Sequence, residues 1–243
     1  MGWLIRHIEI MKQNGPDPWK VDTVIRLVEV DPYMDAATQR RSLIAFYFGT
    51  KVASGDVTSD QVIDSVARRA YADLQRTIHG FGAHCAKAEI KSHIHTTLRA
   101  VVVDLATCNS QEEFDKRHDQ WCKSACELFG KFSHSDRGII FHYGQAQKWL
   151  NMTLKYLAVL NHPVVQRAYG FLHIPVDKYV YNEAATAGVK RPPCPHAWST
   201  LDREKYINYQ HRLREMVAST PYSCPLDWEA DVWFTRATSL TTT

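Results

Sequence analysis

The chain has 243 residues, of which 45% are hydrophobic and 23% charged, and its formal net charge is +3. This composition excludes a disordered chain and is sufficient for one large domain or two lobes. No apolar run reaches membrane-spanning length, and the mildly basic balance permits a nucleic-acid partner without requiring one. The first residues carry Glu9 within their apolar part and show no small-residue cleavage site, so we expect no signal peptide and a cytoplasmic location.

Six cysteines are spread along the chain, and we expect free thiols in a reducing compartment. Cys122 and Cys126 stand one helical turn apart, and His118 is close enough in sequence to suggest a metal site. However, zinc sites favour tighter cysteine spacings, so buried thiols are the favoured interpretation. The sequence predicts no metal and no organic cofactor.

The first half of the chain is predicted to be helical. A short helix within residues 1–18 ends at Asn14-Gly15-Pro16, a strong stop signal. Apolar residues 21, 24, 25 and 28 recur at helical spacing and predict a second, amphipathic helix. Asp35 and Ser59 are suitable N-caps for the next two helices, over residues 36–48 and 60–78.

The second half continues this pattern. Residues 84–107 read as a helix, with a strand at Val101–Val103 as the alternative, and Ser110 with Glu113 forms a capping box. Further helices are predicted over residues 141–160, 178–187, 203–217 and 226–234. The predicted fold is all-α: a single compact domain over residues 1–243, a two-lobed bundle whose second lobe is centred on 139–218.

The central helix and the segment that follows it hold the most informative residues. Leu150, Leu154, Leu157 and Leu160 make its apolar stripe, and Lys148 falls on the opposite face. Asp177 follows Ile174-Pro175-Val176 and opens the next helix. Alone, Lys148 would be read as a solvated lysine and Asp177 as an N-cap.

Together these segments resemble the helix-hairpin-helix DNA glycosylase superfamily. In that family a glycine-containing hairpin precedes a helix with a lysine, and an apolar-Pro-x-Asp segment opens a later helix. Here residues 143–148 (YGQAQK) and 174–177 (IPVD) stand in the corresponding places. The Lys148–Asp177 separation is similar to that of the archaeal 8-oxoguanine glycosylase branch. The hairpin departs from the family, because only Gly144 is present where two glycines are usual.

The resemblance implies removal of a modified or damaged base from DNA, with a cleft between the two lobes. Divergent branches act on hypermodified phage bases in antiviral defence, and others act in DNA repair. Asp177 would stabilise the sugar cation or activate the nucleophile. Lys148 would attack the sugar and give lyase activity, or would remain protonated while water attacks. The partner would be double-stranded DNA with a flipped-out base, bound by a monomer without membrane contact.

Two groups of residues are predicted around this pair. The base pocket would use aromatic and polar side chains for stacking and readout, although each tryptophan alone is more often a core residue. Its candidates are Tyr143, Gln145, Gln147, Trp149, Asn151, Trp198 and Trp228. The DNA backbone would be contacted by Gly144, Lys155, His173, Lys178, Lys190 and Arg191.

Two other functions fit the sequence. Arg137 and His142 form an R-x4-H motif, which resembles the active-site signature of HEPN-type ribonucleases; in this alternative, phosphodiester cleavage would depend on His142 and not on Asp177. The second alternative is a non-catalytic helical module that binds DNA or a protein, and it would tolerate loss of Lys148 and Asp177.

Overall fold

A computed structural model describes the backbone of residues 7–14, 21–28, 34–132, 138–193 and 197–239, and the side chains of 34–132, 138–193 and 197–233. Within these residues, a two-stranded hairpin precedes ten α-helices, and the fold class is all-α as predicted. The first five helices are α1 (Ala36–Phe48), α2 (Thr50–Ser54), α3 (Asp60–Leu74), α4 (Lys87–Asp104) and α5 (Gln111–Gly130). The other five are α6 (Tyr143–Val159), α7 (Pro163–Arg167), α8 (Lys178–Thr186), α9 (Arg203–Ala218) and α10 (Pro225–Ser239).

The N-terminal hairpin corrects the sequence prediction. Strand β1 (His7–Asn14) pairs antiparallel with β2 (Val21–Val28), and Asn14 lies opposite Val21. The prediction of two helices in this region is therefore wrong. Five of the eight β2 residues are β-branched, which favours a strand, and eight residues are too few for helical spacing alone to decide.

The predicted helix starts are confirmed where the side chains are described. Asp35 accepts a hydrogen bond from Thr38 N, and Ser59 accepts one from Val62 N. Ser110 accepts from Glu113 N, and the Glu113 carboxylate reaches back to Asn109 N at 2.9 Å. The alternative strand at residues 101–103 is wrong, because these residues form the last part of α4.

Helix α6 lies at the centre of the molecule. It packs against α3, α5, α9 and the 3-10 turn Trp198–Thr200, and nearly all of its residues are buried. Leu150, Leu154 and Leu157 are buried as predicted, but Lys148 on the opposite face is also buried, at 5% exposure. The helical wheel failed here because neighbouring elements also cover the face of α6 that carries Lys148, although Val159 at the end of the helix is exposed.

Candidate active site

Asp177 is fixed by the start of α8. Its backbone is extended, and Oδ1 accepts hydrogen bonds from the backbone N–H groups of Tyr179 at 2.9 Å and Val180 at 3.0 Å. Ile174 and Val176, both fully buried, anchor the chain that leads into the helix. One carboxylate oxygen therefore caps α8, and the other, Oδ2, remains for a different partner.

The segment before Asp177 is held by side-chain amides. Gln147 Nε2 donates to Val176 O at 3.0 Å, and Val176 N donates back to Gln147 Oε1 at 3.2 Å. Gln210 Nε2 donates to Ile174 O at 2.7 Å, and Asn151 Nδ2 donates to Gln147 Oε1 at 3.0 Å. These bonds fix the backbone that carries Asp177 against α6 and α9.

Lys148, in the second turn of α6, completes the pair. Its Nζ donates to Asp177 Oδ2 at 2.7 Å and lies 3.5 Å from Pro175 O. The Lys148 side chain is 6% exposed and that of Asp177 is 25% exposed. The structure thus brings together the two residues that the sequence singled out, at a distance that permits direct proton transfer.

The pair opens into a groove of about 530 Å³, here called the Lys148 groove. Helix α6 contributes Lys148, Met152 and Lys155, whose spacing places them on one stripe of the helix. The other lining residues come from α1, α3, α6, the start of α8 and α10: Tyr47, Arg69, Asp73, Tyr156, Asp177, Tyr179, Glu229, Ala230 and Trp233.

The charges in the Lys148 groove are matched one to one. Among the described residues, each of its three basic side chains contacts one carboxylate, in the pairs Lys148–Asp177, Arg69–Asp73 at 2.8 Å, and Lys155–Glu229. These six groups carry no net charge together, and they present hydrogen-bond donors and acceptors side by side.

A hydroxyl network lines the wall opposite the pair. Tyr156 OH donates to Asp73 Oδ2 at 2.6 Å and lies 2.8 Å from Tyr47 OH, which accepts from Arg69 at 2.6 Å. Burial, together with the hydrogen bond to Asp73, raises the pKa of Tyr156 well above its usual range. Tyr156 is therefore a protonated hydrogen-bond donor at neutral pH.

The predicted base-pocket residues lie elsewhere, and none of the seven lines the Lys148 groove. Trp149 is fully buried, and its indole N–H donates to Ala67 O at 3.0 Å. Tyr143 OH donates to Asp119 at 3.0 Å, and Gln145 Nε2 donates to Thr77 O at 2.6 Å.

Of the remaining four, Gln147 and Asn151 belong to the amide contacts behind Asp177, Trp228 is buried, and Trp198 is half-buried against the core. None of the seven side chains therefore lies in the groove that contains the Lys148–Asp177 pair.

The predicted backbone contacts are only partly compatible with the structure. Gly144 N donates to Leu201 O at 2.9 Å, and a Cβ at Gly144 would lie 2.0 Å from Trp198 O. The glycine is therefore needed for close packing, and its N–H is not available to a phosphate. His173 is buried, at 4% exposure, which contradicts its predicted contact. Lys155 lies in the Lys148 groove.

The other three predicted contacts are exposed but lie outside the Lys148 groove. Lys178 is at the start of α8, and Lys190 and Arg191 follow its end. Arg191 contacts Asn182 and stacks over the Tyr181 ring, with 5.5 Å to its centroid. Their contact with DNA stays a prediction.

A second polar cluster lies behind α6 and is called the buried polar network. His118 Nε2 is 3.0 Å from Asn151 Oδ1, and Tyr206 OH is 2.9 Å from His173 Nδ1. Asn151 donates to Tyr206 OH at 2.8 Å, and Asp115 lies 2.7 Å from His173 Nε2. Burial lowers the pKa of His118 well below its usual range and also lowers the pKa of His173, against the opposing effect of Asp115.

Within the described ranges, no group of three or more His, Cys, Asp or Glu side chains is arranged to hold a metal ion. Cys122 Sγ lies 3.8 Å from His118 Nδ1. The ribonuclease alternative stays open, because Arg137 is outside the described residues, while His142 directly precedes α6. None of the helices described has both the length and the apolar character needed to cross a membrane.

Sequence reasoning missed Arg69, Asp73 and Glu229. The i, i+4 spacing of Arg69 and Asp73 on α3 indicates their own ion pair, but nothing local indicates that they face Lys148. Glu229 is 74 positions from its partner Lys155. Only the packing of α3 and α10 against α6 brings these residues to one groove.

No protein-family model matches the sequence, no curated protein matches it, and no solved structure matches the fold. The functional assignment therefore rests on the chemistry of the site.

Proposed function

We propose that this protein is a DNA glycosylase that removes a modified or damaged base from double-stranded DNA, with Asp177 and Lys148 as its catalytic residues. The observation that carries this proposal is the 2.7 Å contact between Lys148 Nζ and Asp177 Oδ2 at an open groove. A carboxylate and an amine at one place are the groups that cleavage at a sugar carbon needs. The resemblance of residues 143–148 and 174–177 to helix-hairpin-helix glycosylases points the same way.

The reaction breaks the bond between C1′ of the sugar and the base nitrogen. The bonding electron pair leaves with the base, which takes up a proton, and positive charge develops on the sugar. Asp177 Oδ2 stabilises this charge, because its position is fixed before the reaction by the α8 cap on Oδ1. The new bond to C1′ forms from water or from Lys148 Nζ.

The two nucleophiles give different products. When water attacks, its proton passes to Asp177 and the product is an abasic site. When Lys148 attacks, it first transfers a proton to Asp177 across the 2.7 Å hydrogen bond, and Asp177 passes this proton to the leaving base and becomes a carboxylate again. A second proton of the amine then moves to the ring oxygen as the sugar opens, and the product is a Schiff base. The Schiff base leads to strand cleavage, so the second route is a lyase activity.

Exposed aromatic side chains support base binding in the Lys148 groove. Tyr179 is 54% exposed and Trp233 is 58% exposed, and both line the groove that contains the pair. A base taken out of the duplex needs such rings for stacking. Tyr179 and Trp233 therefore replace the seven predicted pocket residues in the proposal.

The test is incubation of the purified protein with a panel of duplex DNAs that carry oxidised, alkylated or glucosylated bases. We expect abasic sites on at least one duplex, and we expect Asp177→Asn to lower their rate of formation by at least 100-fold. The identity of the base that is removed also distinguishes the two biological roles, since removal of damaged bases indicates repair and removal of hypermodified phage bases indicates antiviral defence. Borohydride added during the reaction traps a protein–DNA adduct only on the lyase route.

Asn at position 177 keeps an oxygen that can cap α8, so the variant is expected to remain folded, as thermal unfolding can verify. The matched control is Asp202→Asn, which changes the N-cap of α9 in the same way and is outside the Lys148 groove. Base release that persists in Asp177→Asn would rule out the assigned role. Absence of base release on every duplex would rule out the glycosylase.

A further inference from the structure

A second pocket, here called the Arg76 pocket, has a volume of about 330 Å³ and lies at the start of α6. It is formed where the 3-10 turn Gln75–Thr77 that extends α3 meets the residues before α6 and the turn at Trp198–Thr200. Its lining residues are Arg76, Thr77, His79, Gly138, Ile140, His142, Gln145, Ser199 and Thr200.

The chemistry of the Arg76 pocket differs from that of the Lys148 groove. Among the described residues, its lining includes one arginine, two histidines and three hydroxyl side chains, but no carboxylate. In the described parts of the chain, the side chains of Arg76 and His79 take part in no hydrogen bond and no ion pair. An arginine with free donors, near imidazoles and hydroxyls, is suited to the oxygens of a phosphate.

The Arg76 pocket and the Lys148 groove lie along the same helix face. Gln145 lines the pocket, and Lys148, Met152 and Lys155 line the groove at spacings of three, four and three residues along α6. At 1.5 Å per residue, Gln145 and Lys148 are separated by about 5 Å along the axis. Successive nucleotides of a DNA strand advance by about 3.4 Å, so this separation corresponds to one or two nucleotides.

We propose that the Arg76 pocket binds a phosphate group, and that this phosphate belongs to the backbone of the strand whose base enters the Lys148 groove. The second part rests on the proposed glycosylase function. Arg76 is the main contact, through paired donors to two phosphate oxygens, and His79 with His142 supplies further N–H donors. The Arg76 pocket thus supplies the phosphate contact that the backbone N–H of Gly144 cannot make.

The test measures binding and not base release, so its result is independent of the glycosylase assay. Binding of an unmodified fluorescent duplex is followed at several salt concentrations for the wild type, Arg76→Gln and Arg68→Gln. Arg68 is the matched control, because it is an exposed arginine of α3 that donates a hydrogen bond to Ser65 and lies outside both pockets. We expect Arg76→Gln to weaken binding by about tenfold and to reduce the slope of log K against log salt by about 1, with no change for Arg68→Gln.

A second arm separates a nucleic-acid phosphate from a free one. Inorganic phosphate is titrated into the protein while the imidazole resonances of His79 and His142 are followed by NMR. One outcome is that phosphate shifts these resonances, that Arg76→Gln abolishes the shifts, and that the wild type binds no duplex. The phosphate site would then be confirmed, and the DNA strand would be rejected as the source of the phosphate. Equal weakening in both variants, or no effect of Arg76→Gln in either arm, would overturn the proposal.

Discussion

The Lys148 groove and the buried polar network contact opposite sides of the same segment, Ile174–Asp177, and both are rich in charged and polar groups. In the network, Asn151 and His118 are at most 2% exposed, and hydrogen bonds link them to their neighbours. In the groove, the Asp177 side chain is 25% exposed, and its Oδ2 has one partner among the described side chains. Polarity alone therefore does not mark a site: Asn151 and His118 are closed to a substrate, whereas Asp177 is open to one.

The two regions also differ in what their groups can do. Next to the network, the buried amides of Gln147 and Gln210 hold the backbone before Asp177, so these groups act on structure. The groove holds groups that can exchange their partner for a substrate. The predictions below test whether this division of roles is correct, and each one compares a residue of one region with a residue of the other or with an exposed control.

The largest difference in stability is expected between Asn151→Leu and Asp177→Asn. Loss of the Asn151 amide removes one hydrogen bond each from Gln147, Tyr206 and His118 in the core, which costs about 3 kcal/mol in total. Asp177→Asn retains an oxygen for the α8 cap but removes the carboxylate partner of Lys148, which water in the groove partly replaces, so we expect a smaller loss of about 2 kcal/mol. Urea unfolding of both variants measures these values.

The control is Asn208→Leu, the same substitution at an exposed position of α9, with an expected change below about 0.5 kcal/mol. If Asp177→Asn destabilises the protein more than Asn151→Leu does, then Asp177 is mainly a structural cap and the comparison fails.

The two regions were predictable from the sequence to different degrees. Ser59, Ser110 and Asp177 are local signals, because an N-cap depends on residues within one turn, and all three were found. The pairing of Lys148 with Asp177 was reached through the family resemblance and not through local physics.

Other residues were placed incorrectly for an identifiable reason. Trp149 and Asn151 were predicted to bind a base because their side chains are aromatic or polar, and the sequence does not show that neighbouring elements bury them. Glu229 was not predicted at all, since its role depends on how α10 packs against α6. Burial and long-range contacts are tertiary properties, and one sequence contains no direct record of them.

The network is expected to contribute part of the pH dependence of stability, beside His95 and His162, whose pKa values burial also lowers. His118 and His173 both have a lowered pKa in the folded protein, mainly because they are buried. Below pH 6.5, the unfolded chain binds protons at these positions while the folded protein does not, so stability falls as the pH decreases toward the folded pKa values. Each histidine contributes a slope of up to about 1.4 kcal/mol per pH unit in that window, and above pH 6.5 the contribution to the slope disappears.

The measurement is the free energy of unfolding between pH 7 and pH 5. His118→Gln should remove the contribution of one histidine to this slope, whereas His93→Gln, at an exposed position of α4, should leave the slope unchanged. An equal slope in the wild type and in His118→Gln would show that His118 is not held neutral by burial.

The smallest effect is expected from Tyr156→Phe in the wall of the Lys148 groove. Its hydroxyl bonds Asp73 and Tyr47, but the groove admits water, which can replace the hydroxyl as a partner. We therefore expect a loss of about 1 kcal/mol in urea unfolding, against almost none for Tyr179→Phe, whose ring is exposed. If Tyr156→Phe costs as much as Asn151→Leu, water does not compensate for a lost partner in the groove. The access of solvent would then not explain the difference between the two regions, and the assignment of the groove as the site of chemistry would depend on the Lys148–Asp177 pair alone.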